Sequence, residues 1–478
     1  MKNKSLKLNM VLNTIKGITG IIFPLITFPY VSKVLGVTKV GEYNFANSIV
    51  SYFILIAGLG ISTYAIREGA RFRENTKRLQ HFADEMFTIN VISTIFSYLL
   101  LIILLLIVPK FTNYSSLLLI LSLQVFFKTV GIEWIYSIFE DYTYITLRSI
   151  VFQFISLFLL FIFVKSKEDI VLYALITSIS SGGSNFFNYF YARKYCNVKL
   201  TKDIDWKKHL KPILVLFAMS AASKIYVSSD TTIIGFMKGD FHVGIYSVST
   251  KIYYIVDTIL ASVLVVSVPR LSSLLGNHKM NEFNNVASDI YQTLLSLVVP
   301  SIVGIILIRK EIILIIANKG YITATSSLYL LSIALFFTLG SWFWTQCILI
   351  PFKQEVIVFK ATLVAAVINV ILNIILIPYF AENGAAFATI IAEFVVFSLC
   401  RKVGLRYVIL SDINSTLIKV LIGCIPVICI SILIKSFFSN MIFELIIILI
   451  LSIPTYFITE ILLKNKSITS FSKRFLKR

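Results

Sequence analysis

Long apolar segments follow one another from Met10 to Leu463, and no stretch between them is long enough for a soluble domain. A membrane-spanning helix needs roughly 20 mostly apolar residues, and runs such as 91–108, 213–236 and 357–379 supply that length repeatedly. Strands of a membrane barrel would alternate apolar and polar residues, and these runs do not. With no water in the hydrocarbon, backbone groups must be bonded within each segment, so the pattern predicts helices. The expected fold is an all-α polytopic membrane protein with about 14 transmembrane helices. They lie near 12–34, 44–65, 86–108, 116–138, 145–164, 170–192, 212–236, 243–268, 288–308, 325–350, 357–379, 384–400, 416–434 and 441–463.

The segments fall into two halves. Val40-Gly41-Glu42-Tyr43 enters the second span and Val243-Gly244-Ile245-Tyr246 the eighth, an offset of 203 residues that also relates Arg67 to Arg270. Leu35-Gly36 and Ile234-Gly235 each close the preceding span, with the second connection four residues longer. This predicts an N-terminal six-helix lobe (1–192), a cytoplasmic inter-lobe linker (193–211), a C-terminal six-helix lobe (212–410), and an extra helix pair with a basic cytoplasmic tail (411–478). Six spans return the chain to its starting side, so the lobes are expected to be related by a pseudo-two-fold axis along the membrane normal. Spans one, two, seven and eight would then line a central cleft that rocking opens to either side.

Hydrophobic content of 57 % and a mean hydropathy of +0.87 agree with this reading. The net charge of +20 would suit nucleic acid, but its placement argues for membrane topology instead. Lys2, Lys4 and Lys7, the 67–78 connection, the 193–211 connection and the 464–478 tail all fall on one side. The positive-inside rule makes that side cytoplasmic, with both termini there and anionic lipid as a contact. The basic start has no small-residue cleavage site and Lys16 interrupts its apolar stretch, so it is read as the first span. Five cysteines and four histidines sit singly, without disulfide or metal-ligand spacing, so no metal or cofactor is expected.

Ionisable residues inside spans carry more information. Lys16, Lys128, Glu133, Lys224, Asp230, Lys251, Asp257 and Glu393 each cost at least ~2.5–3.5 kcal/mol at mid-bilayer and should face a cavity or one another. Lys128, near the cytoplasmic third of its span, fits snorkelling or simple ion pairing best. Lys16 and Lys251 have polar neighbours that suggest a wetted face. The pairs Lys224/Asp230 and Lys251/Asp257 are six residues apart, so their partners must come from other spans. Lys16, Lys224 and Lys251, with Arg67 and Arg270 at the cytoplasmic mouth, are the candidate contacts for an anionic ligand. Asp230, Asp257, Glu133 and Glu393 are the candidates for ion coupling or charge balance. No G-x-x-x-x-G-K-[ST] loop, H-E-x-x-H, G-x-S-x-G or kinase signature occurs. Ser181-Gly182-Gly183-Ser184 reads as close packing or a bend.

Several residues together resemble the Wzx-type polysaccharide flippases of the multidrug/oligosaccharidyl-lipid/polysaccharide exporter superfamily. They are Asn13, Pro24, Pro29-Tyr30, Leu35-Gly36, Gly41-x-Tyr43, Gly58, Gly60, Tyr64 and Ile66-Arg67-Glu68, followed by Asp230, Ile233-Ile234-Gly235, Val243-Gly244-x-Tyr246 and Pro269-Arg270-Leu271. Spans eleven and twelve add Asn369, Asn373, Pro378, Gly384-Ala385-Ala386, Ala388-Thr389 and Glu393. The resemblance implies a non-enzymatic flippase that moves an undecaprenyl-pyrophosphate-linked oligosaccharide repeat unit to the outer leaflet of a bacterial inner membrane. It would serve O-antigen, capsule or exopolysaccharide synthesis, using alternating access and, where transport is coupled, a proton or sodium gradient. A polysaccharide polymerase and a chain-length regulator are the further partners it implies. Many members have twelve spans; in related exporters two extra helices can border a hydrophobic groove for the lipid tail. Two other classes stay open. A MATE-type small-molecule exporter would prefer an acidic cleft, and a membrane polymerase or ligase would usually carry one large outer loop.

Overall fold

The computed structural model describes residues 6–438, 440–465 and 468–469, except for the side chains of 6–18, 21 and 22. Regular structure among them is helical: α1 (Leu6–Gly58), α2 (Ile61–Gly69), α3 (Thr76–Ile107), α4 (Pro109–Thr112), α5 (Ser115–Val130), α6 (Glu133–Ile138), α7 (Tyr142–Phe163) and α8 (Ile170–Ser178) come first. They are followed by α9 (Asn185–Tyr191), α10 (Trp206–Lys238), α11 (Asp240–Gly276), α12 (Met280–Ile316), α13 (Ala324–Trp342), α14 (Glu355–Gly404), α15 (Ile413–Phe437) and α16 (Met441–Leu462).

Among the described residues, eleven helical stretches are long and apolar enough to cross a membrane. Two of them, Phe23–Phe72 and Glu355–Gly404, run for 50 residues each, about twice what a bilayer's hydrocarbon requires. Both are broken, the first at Gly36 (φ 75°, ψ 175°) and the second at Ala381 (φ 47°, ψ −127°). Leu106, Val266 and Phe437 are 82 %, 80 % and 80 % exposed, so hydrocarbon rather than water suits these faces. The chain is a multi-pass membrane protein. Ser181-Gly182-Gly183 lies on a π-helical turn over Ile179–Gly183 that Ser184 caps, and a Cβ on Gly182 would lie 2.8 Å from that of Phe127.

The chain divides into two compact units, Met1–Gly244 and Ile245–Arg478. By sequence α10 opens the second lobe, whereas in the structure it packs on α1 and α2 inside the first unit. The connection that precedes it explains the difference. Backbone amides of Asn197, Lys199 and Thr201 donate to Gln80 Oε1 (2.9 Å), Asp84 Oδ1 (2.7 Å) and Thr88 Oγ1 (3.0 Å) of α3. Four residues of helix rise about 6 Å and two extended residues span about 6.6 Å, so the two repeats nearly match. The supposed linker is thus laced to a helix. Its Cys196 is buried, and burial, with a smaller effect from Asp84, pushes the thiol up to about 12.

The second unit uses the same device. Ile409 and Ser411 amides donate to Asn284 Oδ1 (3.3 Å) and Ser288 Oγ (3.1 Å) of α12, and Gln292 Nε2 donates to the Ser411 carbonyl (2.8 Å). Gln80, Asp84 and Thr88 stand 204 residues before Asn284, Ser288 and Gln292. The internal repeat therefore extends beyond the motifs at the span ends.

One pairing read from the sequence needs correcting. The sequence pattern matches Gly36 with Gly235, but Gly235 is helical, within α10. The residue that shares the Gly36 backbone is Gly239, at φ 84° and ψ −175°, and it keeps the 203-residue offset without an insertion. Side chains strongly disfavour that conformation, which is why glycine occupies both turns. Beyond them the chain segments meet reciprocally. A Cβ on Gly41 would lie 1.7 Å from the Asp240 carbonyl oxygen, and one on Gly244 would lie 2.2 Å from that of Val37. Lys110 donates to the carbonyls of Gly235 and Phe236, and the Tyr114 hydroxyl donates to both carboxylate oxygens of Asp240 (2.7 and 2.8 Å). This pins both sides of the Gly239 turn.

Gly41→Ala and Gly244→Ala should each cost roughly 1–3 kcal/mol through overpacking and lower the Tm by several degrees in detergent. Gly276→Ala, with nothing within 4 Å of the added carbon, should leave it unchanged. A wild-type Tm for Gly41→Ala would contradict the close approach.

Candidate functional site

The most distinctive chemistry of the first unit lies where α1 gives way to α2. The chain turns through Leu59 (φ 44°) and Gly60 (φ 73°) before the helix resumes. Gly60 is needed here twice over: for its φ, and because a Cβ would lie 2.8 Å from the backbone nitrogen of Phe217 on α10. A helix break within a membrane frees carbonyls on one side and amides on the other, and each must find a partner. The carbonyl side is satisfied by α3. The Ala57 oxygen accepts from Asn90 Nδ2 (2.7 Å) and Ser93 Oγ (2.6 Å).

The amide side is left open. No described side chain caps the N-terminus of α2, and Gly60 with Ser62 and Thr63 of its first turn line a cavity of about 340 Å³. Ser51 of α1, Ser220 and Lys224 of α10, and Lys128 of α5 complete its polar lining. Neither lysine is ion-paired with a described carboxylate. Two ammonium groups, several hydroxyls and the positive end of a helix dipole suit an anion with many acceptor oxygens. A short helix starting at mid-protein and aimed at an anionic group is a recurring arrangement in transporters.

The other sequence-predicted residues are spread over both units. Lys16 belongs to α1, but its side chain lies outside the described residues. Arg67 is exposed and paired with Glu68 (3.2 Å), which also holds Arg71 (2.8 Å). Glu133 is bound to Arg148 (2.8 Å), a buried residue that also contacts Asn185 (3.0 Å); this favours charge balance over coupling for Glu133. Asp230 is buried on α10, within electrostatic reach of Tyr52, whose hydroxyl meets Thr232 (3.2 Å).

In the second unit, Lys251 is half-buried on α11 and Arg270 is exposed on the same helix. Asp257 and Glu393 each lie within electrostatic reach of the Tyr253 hydroxyl, which meets Thr338 (2.7 Å). Asp257 Oδ1 is buried without a hydrogen-bond partner among the described residues. Between α12, α15 and α16 lies an apolar groove of about 330 Å³, with Pro300, Gly304, Val427, Ile448 and Tyr456 among its walls.

Sequence reasoning missed Lys128 as a site residue, together with the hydroxyls around it. A signal was present. Gly58-Leu59-Gly60 followed by Ser62-Thr63 is a helix stop and restart, and Lys128 stands three residues before a second interruption at Gly131-Ile132 (φ 35°).

Residues 6–275 match the polysaccharide biosynthesis protein family. The chain belongs to that family. It is 22 % identical over 401 residues to a protein of Escherichia coli (strain K12) named as an O-antigen transporter, covering 83 % of this chain and 95 % of that one. It is 24 % identical over 366 residues to the capsular polysaccharide biosynthesis protein CapF of Staphylococcus aureus, covering 74 % and 88 %. Among solved structures, the lipid II flippase MurJ in an inward closed conformation is similar in fold, with a TM-score of 0.73 at 20 % identity, covering 98 % of this chain and 100 % of that one. An inward-facing multidrug resistance MATE family transporter of the MOP superfamily gives 0.61 at 15 % identity, covering 87 % and 96 %.

The pairing of Glu133 with Arg148 makes a prediction that separates packing from coupling. Glu133→Gln leaves a buried guanidinium uncompensated and should cost up to about 3–5 kcal/mol, while adding Arg148→Met should restore most of the lost Tm. A Glu133→Gln variant of unchanged Tm that no longer transports would instead assign Glu133 to coupling.

Proposed function

We propose that this protein is a flippase that carries an undecaprenyl-pyrophosphate-linked oligosaccharide repeat unit from the cytoplasmic to the outer leaflet by alternating access. The observation that carries the proposal is the cavity at the α1–α2 break, where Lys128 and Lys224 face the uncapped start of α2. A diphosphate offers the charge and the acceptor oxygens that this cavity lacks. The glycan needs a hydrated polar surface and the tail an apolar one. The names of the E. coli and S. aureus relatives support the same class of cargo. No bond is made or broken in such a step, so the protein need only lower the cost of moving polar groups through hydrocarbon. A bacterial inner membrane with both termini cytoplasmic is the location this reading requires.

A MATE-type exporter of cations is the second reading. The carboxylates Asp257 and Glu393 near Tyr253 would suit it, but the lysine-lined cavity would repel its cargo. In the flippase reading those carboxylates are the candidates for proton or sodium coupling.

Deleting the gene should cause a lipid-linked saccharide to accumulate on the cytoplasmic side, and the wild-type gene should clear it. Lys128→Ala and Lys224→Ala should each reduce export at least tenfold at normal expression, with Lys→Arg retaining part of it because charge survives while shape changes. Normal export by both alanine variants would refute the anion role of the cavity.

A further inference from the structure

A second cationic pocket lies in the second unit. It has a volume of about 270 Å³ and is lined by Leu307, Arg309, Lys310, Ile322, Thr325 and Lys435. By the topology read from the basic connections it faces the exterior, where short loops ordinarily carry few cations. Three of them around one pocket therefore call for a reason. Lys435 is held by Glu311 (2.7 Å) and Glu444 (3.8 Å). Arg309 donates to the Ile306 carbonyl (2.5 Å) and lies over the Tyr329 ring (5.7 Å). Neither Arg309 nor Lys310 is ion-paired with a described carboxylate, so the pocket keeps excess positive charge.

The pocket also adjoins the apolar groove, for Leu307 is a wall of both. A cationic pocket at the mouth of an apolar groove fits a molecule with an anionic head and a long apolar tail. We propose that this pocket is an exit station: the phosphorylated head of the polyprenyl carrier docks on Arg309 and Lys310 at the outer surface while its tail lies in the groove. This rests on the flippase reading and adds to it a second, outer anion site, distinct from the Lys128/Lys224 cavity.

The test is native mass spectrometry of the purified full-length protein titrated with undecaprenyl diphosphate, inorganic diphosphate or phosphatidylglycerol. Arg309→Gln/Lys310→Gln should weaken undecaprenyl diphosphate binding about tenfold and leave inorganic diphosphate binding unchanged. Gly304→Leu, at a position with open space around it, should fill the groove and weaken the lipid in the same way. Lys128→Ala/Lys224→Ala should do the reverse, losing inorganic diphosphate and retaining the lipid at the outer site. Wild-type lipid affinity in the Arg309→Gln/Lys310→Gln variant would overturn the exit station, as would displacement by an equal concentration of phosphatidylglycerol. Lipid binding lost only in the Lys128→Ala/Lys224→Ala variant would uphold the flippase reading and overturn this inference. A wild-type protein that binds no undecaprenyl diphosphate would overturn both.

Discussion

A peptide group in hydrocarbon has no water to bond, and that constraint governs where this chain may stop being a helix. Each interruption releases donors and acceptors that something else must satisfy. At Gly58–Gly60 the two sides are treated unequally. The Ala57 carbonyl is taken up by Asn90 and Ser93, whereas the amides opening α2 have no cap and face the cavity with Lys128 and Lys224. The break thereby becomes a candidate site. A continuous helix there would bond those amides internally and leave the lysines without the converging donors that favour an anion.

The same economy recurs in the connections. Polar side chains spaced four apart on α3 and on α12 each bind an extended segment, so the 193–211 connection and the stretch before α15 are ordered along helices. Gly36 and Gly239 share one strained backbone shape, and the segments beyond them touch through Gly41 and Gly244. Repetition at the level of sequence has become repetition of turn, ladder and close contact.

The helical membrane fold was legible because it follows from segment length and apolarity, which a single sequence carries in full. The break at Gly60 was within reach, since its glycine and the Ser62-Thr63 restart are local. Lys128 was not. Its depth in a span fits snorkelling equally well, and only the approach of α5 and α10 to the break brings Lys128 and Lys224 to one cavity. Gly36 was paired with the wrong glycine because Ile234-Gly235 looks like the end of a span, and only backbone angles reveal that the helix continues to Lys238. Arg148 hid inside an apolar run, so the partner of Glu133 was invisible until α6 and α7 were placed.

In the proposed function, the uncapped helix start and its two lysines bind the diphosphate of a lipid-linked glycan. Equilibrium binding of a short-chain, water-soluble polyprenyl diphosphoryl sugar to the purified protein tests it directly, because such a ligand has too little tail to be held by the groove. The account predicts saturable binding that weakens with salt and falls at least tenfold in the Lys128→Ala/Lys224→Ala protein of unchanged Tm. Binding of equal strength in that protein would contradict it.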